Sequence, residues 1–157
     1  MAGRVSPVFL GLLALSFCLS VPALALSAAI VSKATFWPTE EYQGILIQST
    51  FAWAWTTLFT LLVLVGSAVA SSFFLFKPTV SFALLFLSWL QTIVSFGSFS
   101  AIMKDYGRPE LNNLYMGFWG VCGAGTFVLM FTTIYALYLQ ITSRATPVPQ
   151  HKETEHF

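Results

Sequence analysis

The groups in this chain that could do chemistry are few, and their spacing suits none of the common reactions. Both histidines, His151 and His156, lie at the very end of the chain. A haem held between helices needs a ligand at membrane depth, and two tail histidines without further ligands hold a metal poorly. Asp105 and Glu110 share one connection, but Arg108 separates them and they lack the ligand spacing of a cation-binding loop. Cys18 and Cys122 stand far apart inside apolar runs, with no Cys-x-x-Cys pair for thiol redox chemistry. They read as small buried residues, with lipidation or thiol reactivity as the alternative. No nucleophile–base pair is recognisable. The expectation is a chain with no catalytic site, no cofactor and no metal, hence not an enzyme.

What remains polar inside the apolar runs is one deep amide and many hydroxyls. Gln91 is that amide, while Gln48 and Gln140 fall near run ends. Gln91 reads as an interhelical hydrogen bond worth about 1 kcal/mol, or else as the lining of a pore or ligand site. Three small-x-x-x-small pairs also occur: Gly66–Ala70, Gly97–Ala101 and Gly120–Ala124. At that spacing both residues share a helix face, and a neighbouring backbone can come close. Gly117, Gly120, Gly123 and Gly125 cluster near the start of the last run. Such faces serve either packing within a bundle or contact with a partner or a second copy.

Four apolar stretches must position these residues. They run Val8–Val31, Ile45–Phe76, Thr79–Met103 and Tyr115–Ile141, and none contains a charged side chain. Each exceeds the about 20 residues that a membrane-spanning helix needs. Hydrophobic residues make up 57% of the 157 and charged residues 8%, against about 25% charged in a soluble domain. A water-soluble fold of this size could not cover itself. A net charge of +1 offers no basic surface for nucleic acid. The expected fold is all-α: an integral membrane four-helix antiparallel bundle with short connections over residues 1–141, followed by a polar, disordered tail over 142–157.

Local signals refine this picture. Arg4, the apolar run and Val21–Ala25 resemble a cleavable signal peptide, but the run continues to full membrane length and reads as a retained helix. Pro22 predicts a kink, with Ser16 or Ser20 satisfying the freed backbone group. Thr39 reads as an N-cap, with Glu40 and Glu41 in the first turn of the second helix. A helix from Gln43 to Phe76 would be about 50 Å long, against a hydrocarbon core of about 30 Å. Either it tilts strongly or its first turns stand clear of the membrane. On the second view Trp37, Trp53 and Trp55 lie in the headgroup layer, and residues 56–76 are embedded. The tight Lys77–Pro78 corner makes helices 2 and 3 an antiparallel hairpin. With four spans, Arg4, Lys77, Arg144 and Lys152 share one side, against Lys33, Lys104 and Arg108 on the other. That balance puts both termini in the cytosol, in the plasma membrane or an endomembrane.

The four spans, the short connections and a Gly/Ala-rich fourth helix leading into Phe127-Val128-Leu129-Met130-Phe131 resemble the MARVEL-type tetraspan proteins over roughly Val8–Ile141. The resemblance implies a non-enzymatic role in organising membrane subdomains, sorting cargo or apposing membranes. Its partners would be membrane lipids and either another integral membrane protein or further copies of the chain. Claudin-like and tetraspanin-like proteins fit less well, since both need a large cysteine-bearing extracellular loop. The alternative is an accessory subunit of a larger transporter, channel or membrane enzyme. A third class, a small channel or carrier, would need Gln91 and the Ser/Thr rows to line a wet path.

Overall fold

A computed structural model describes residues 6–33, 40–69, 78–106 and 112–145. They form α1 (Pro7–Lys33), α2 (Glu40–Val69), α3 (Pro78–Tyr106) and α4 (Asn112–Ala145), with no strand among the described residues. Trp37, Thr39, Ala70, Lys77 and the tail from Thr146 lie outside the described residues. Three helices extend one to four residues past the apolar runs at each end, because backbone hydrogen bonding continues where the side chains turn polar. The second differs more. It starts at Glu40, five residues before the apolar run, and is described as far as Val69. Each of the four contains a segment long and apolar enough to cross a membrane.

The helices form a ring. Helix α1 packs on α2 and α4, α3 packs on the same two, and the Cα atoms of the diagonal pairs stay more than 8 Å apart among the described residues. Cross-helix contacts show that sequential neighbours run antiparallel. Ser16 meets Thr132 at 2.9 Å and Ser6 meets Tyr135. Ser49 meets Ser95 at 2.8 Å. The Phe99 and Phe118 rings meet edge-on at 4.6 Å, and Gln140 donates to Thr79. The fold is thus an antiparallel four-helix bundle.

The inward positions advance in alternating steps of three and four, the spacing of a left-handed coiled coil. On α1 they are Phe9, Leu13, Ser16, Ser20, Ala23, Ser27 and Ile30. On α2 the same rhythm takes in Leu46, Ser49, Trp53, Thr56, Thr60 and Val63. On α3 it takes in Ser81, Leu85, Ser88, Thr92, Ser95 and Phe99, and on α4 Phe118, Cys122, Gly125, Leu129, Thr132 and Ala136. The interior is therefore rich in hydroxyls and the exterior apolar. In lipid no hydrophobic drive brings helices together, so small inward residues and cross-helix hydrogen bonds do that work.

Most inward hydroxyls are satisfied at short range. Thr56 donates to the Ala52 carbonyl, Thr60 to Thr56, Ser88 to Leu84 and Thr133 to Leu129, at 2.7–2.9 Å. Each bond returns to the preceding turn of its own helix, so a buried hydroxyl carries little desolvation cost. The stacked levels balance bulk against smallness. Buried Leu129 stands one step from buried Thr132 and Gly125 along α4, and the Trp53 ring lies against Gly125.

One local expectation needs correction. Helix α1 runs unbroken through Pro22, but the neighbouring serines do not serve the backbone group that proline frees. That group is the Cys18 carbonyl, whereas Ser20 donates to Phe17 and Ser16 bonds Thr132. The first turns of α2 pack within the bundle. Tyr42 and Leu46 are buried, and Leu46 packs in one cluster with Ile30 and Phe118.

Candidate functional site

Trp53 organises one half of the core. It is 1% exposed and packs with Ala23, Ile30, Leu46, Phe99, Phe118 and Cys122. Its position in the inward rhythm of α2 directs it across the bundle toward α4. There the indole edge lies so close to Gly125 that an added Cβ would come within 2.9 Å of it, with Leu19 of α1 at 3.7 Å. A residue so enclosed cannot reach lipid headgroups, so Trp53 is not the interfacial anchor its residue type suggested. Trp55 is half-buried and sits in an aromatic row, 5.9 Å from Phe51 and 4.4 Å from Phe59. The other half of the core is aliphatic: Leu13, Val63, Leu85 and Leu129, with Phe9 and Ala136.

The glycines that pack inside the bundle are not those of the small-x-x-x-small pairs on α3 and α4. Gly125 and Gly123 meet Trp53 and Phe96, respectively. Gly97, Gly117 and Gly120 meet nothing: a Cβ built on each has no neighbour within 4 Å. All three are exposed, as are Ala101 and Ala124. Gly97 and Ala101 lie four apart on α3, and Gly117, Gly120 and Ala124 share a face of α4. Trp119 of α4 ties the two helices there, donating from Nε1 to Ser100 of α3 at 3.0 Å and packing on Phe96. The result is an outward small-residue stripe on each of α3 and α4, with Trp119 at the seam between the two helices. Gly66, the remaining described member of the pairs, is buried on α2.

Further along α4 the outward face changes character. Phe127, Phe131, Ile134 and Tyr138 project outward, each about half exposed. Two apolar grooves flank this ridge. One lies toward α1, bounded by Leu12, Tyr135 and Tyr138, and the other toward α3, bounded by Phe82, Trp89 and Met130. Their volumes are about 510 Å³ and 190 Å³.

Gln91 is half-buried, and its Oε1 is enclosed without a hydrogen-bond partner. Among the described residues, the buried cross-helix polar contacts are the hydroxyl pairs Ser16–Thr132 and Ser49–Ser95. The sequence held a signal for them. In helices that are apolar all round, serine and threonine recurring every three and four residues mark the inward seam. Among the described residues no cluster of His, Cys, Asp and Glu could hold a metal. Comparison with protein families, with curated proteins and with solved structures finds no match for this chain.

Proposed function

We propose that this is a non-enzymatic tetraspan membrane protein that organises its surroundings through lateral helix packing and lipid contact. The observation that carries the reading is the pair of outward small-residue stripes, Gly97 and Ala101 on α3 and Gly117, Gly120 and Ala124 on α4. Small residues facing outward give the bundle itself no packing, since nothing in the described chain lies against Gly97, Gly117 or Gly120. In a membrane such a surface lets another helix approach backbone to backbone, where dispersion contacts and weak Cα–H···O bonds add up. The aromatic ridge beyond it supplies a lipid-facing surface on the same helix. The MARVEL-like layout fits this role, with lipids and other membrane-embedded helices as partners.

Native mass spectrometry of the tagged protein, extracted mildly from its own membrane, tests the reading. Self-oligomers, or a monomer with retained lipid, support it. A fixed stoichiometry with one larger membrane protein would replace it with the subunit role.

A further inference from the structure

The groove between α3 and α4 is apolar along its length and polar at one end. Its α3 wall is an aromatic ladder of Phe82, Phe86 and Trp89, with successive ring centroids 5.8 and 6.0 Å apart. Met130 and Leu137 belong to the α4 wall. Toward the start of α3 and the end of α4, polar groups take over. Gln140 donates from Nε2 to Thr79 Oγ1 at 3.3 Å, across the two helices. Thr79 accepts that bond and keeps its own proton to donate. Arg144 follows on α4, seven residues and almost two turns beyond Leu137, so its Cα stands nearly in line with that wall.

Charge is sorted in the same direction. Antiparallel packing brings the start of α1, the end of α2, the start of α3 and the end of α4 to one end of the bundle. At and beyond these ends the sequence holds Arg4, Lys77 and Arg144, with no acidic residue before Glu153. The other end carries Glu40, Glu41, Asp105 and Glu110 against Lys33, Lys104 and Arg108. The depth also fits a lipid. Met130 precedes Arg144 by fourteen residues, about 21 Å along the helix axis. That is half of a bilayer of about 40–45 Å with its headgroups.

We propose that this groove binds an anionic phospholipid, with one acyl chain along Phe82, Phe86 and Trp89 and the phosphate held by Arg144 and the Thr79 hydroxyl. The proposal rests on the lipid contact of the function proposed above and names the lipid class and its seat. An arginine and a hydroxyl both donate to phosphate oxygens, and a basic pocket between membrane helices favours an anionic headgroup.

The test is tryptophan fluorescence of the full chain in phosphatidylcholine vesicles, with brominated acyl chains carried either by phosphatidylglycerol or by phosphatidylcholine. Bromine quenches an indole only in near contact, and the difference between wild type and Trp89→Phe isolates the indole in the groove. The expected result is that brominated phosphatidylglycerol quenches Trp89 with an apparent affinity about fivefold that of brominated phosphatidylcholine, the preference that one basic residue confers. Arg144→Gln should lose the preference while quenching by phosphatidylcholine persists, which reports an intact groove. Equal quenching by the two lipids, a preference that survives Arg144→Gln, or no quenching of Trp89 by either lipid overturns the proposal. Lateral association of the bundles is a separate readout: if it persists without this preference, only the lipid site falls.

Discussion

Helix α4 carries glycine on two faces, and the two faces behave in opposite ways. Gly125 points inward, and its missing side chain is the space that the Trp53 ring occupies. Gly120, five residues earlier, points outward with open space around it. The first glycine serves the fold, while the second leaves the fold untouched and shapes only what the bundle presents to its surroundings. The same division runs through the whole molecule. Inside, hydroxyls and small residues let helices approach and large residues fill what is left. Outside, bulky apolar side chains face outward except along the small-residue stripes of α3 and α4.

The comparison can be broken most forcefully at Trp53. Trp53→Ala empties a fully enclosed site touching three other helices, and the expected loss is about 4 kcal/mol. Reversible unfolding in mixed micelles would measure it. A loss within the noise would mean the indole is not the centre of this half of the core. Gly125→Leu attacks the same contact from the other side. It forces a side chain into the indole ring and should cost about 3 kcal/mol. Combined with Trp53→Ala, the leucine has room, so the double variant should lose at least 0.5 kcal/mol less than the sum of the singles, a coupling of the size that touching residues show (about 0.5–3 kcal/mol). Strict additivity would show that the two residues do not meet.

Smaller effects are expected at the hydroxyl seams. Thr132 donates to the Val128 carbonyl at 2.9 Å, which leaves Ser16 as the donor in their shared bond. Ser16→Ala should cost about 0.6 kcal/mol, the usual size of such a cross-helix bond in a membrane bundle. A loss several times larger would mean the hydroxyl seam, rather than the Trp53 and leucine clusters, holds α1 to α4.

The number of helices and most of their ends could be read from the sequence, because uncharged apolar runs of membrane length are a strong signal. The apolar run alone misses the start of α2, but the capping pattern of Thr39, Glu40 and Glu41 marks it, and the helix begins at Glu40. Which way each helix faces was hidden. A helix that meets lipid on one side and protein on the other is apolar on both, so hydrophobicity does not mark the inside. Trp53 was misplaced for that reason: tryptophan favours headgroup layers, and only its spacing from Ser49, Thr56 and Thr60 shows that it turns inward. The glycine pairs marked the right kind of residue without indicating their direction. On α3 and α4 their members face outward, whereas the glycine that the core depends on, Gly125, belongs to none of the pairs.

The most direct test of this division is the lateral association of Gly120→Leu and Gly97→Leu, measured by energy transfer between labelled copies reconstituted in lipid bilayers at decreasing protein density. Both variants should unfold within about 0.5 kcal/mol of wild type, as substitutions on an open surface do. The account predicts that the wild-type chains associate at densities where both leucine variants run as separate bundles. Association unchanged in both variants, with the fold intact, would contradict it.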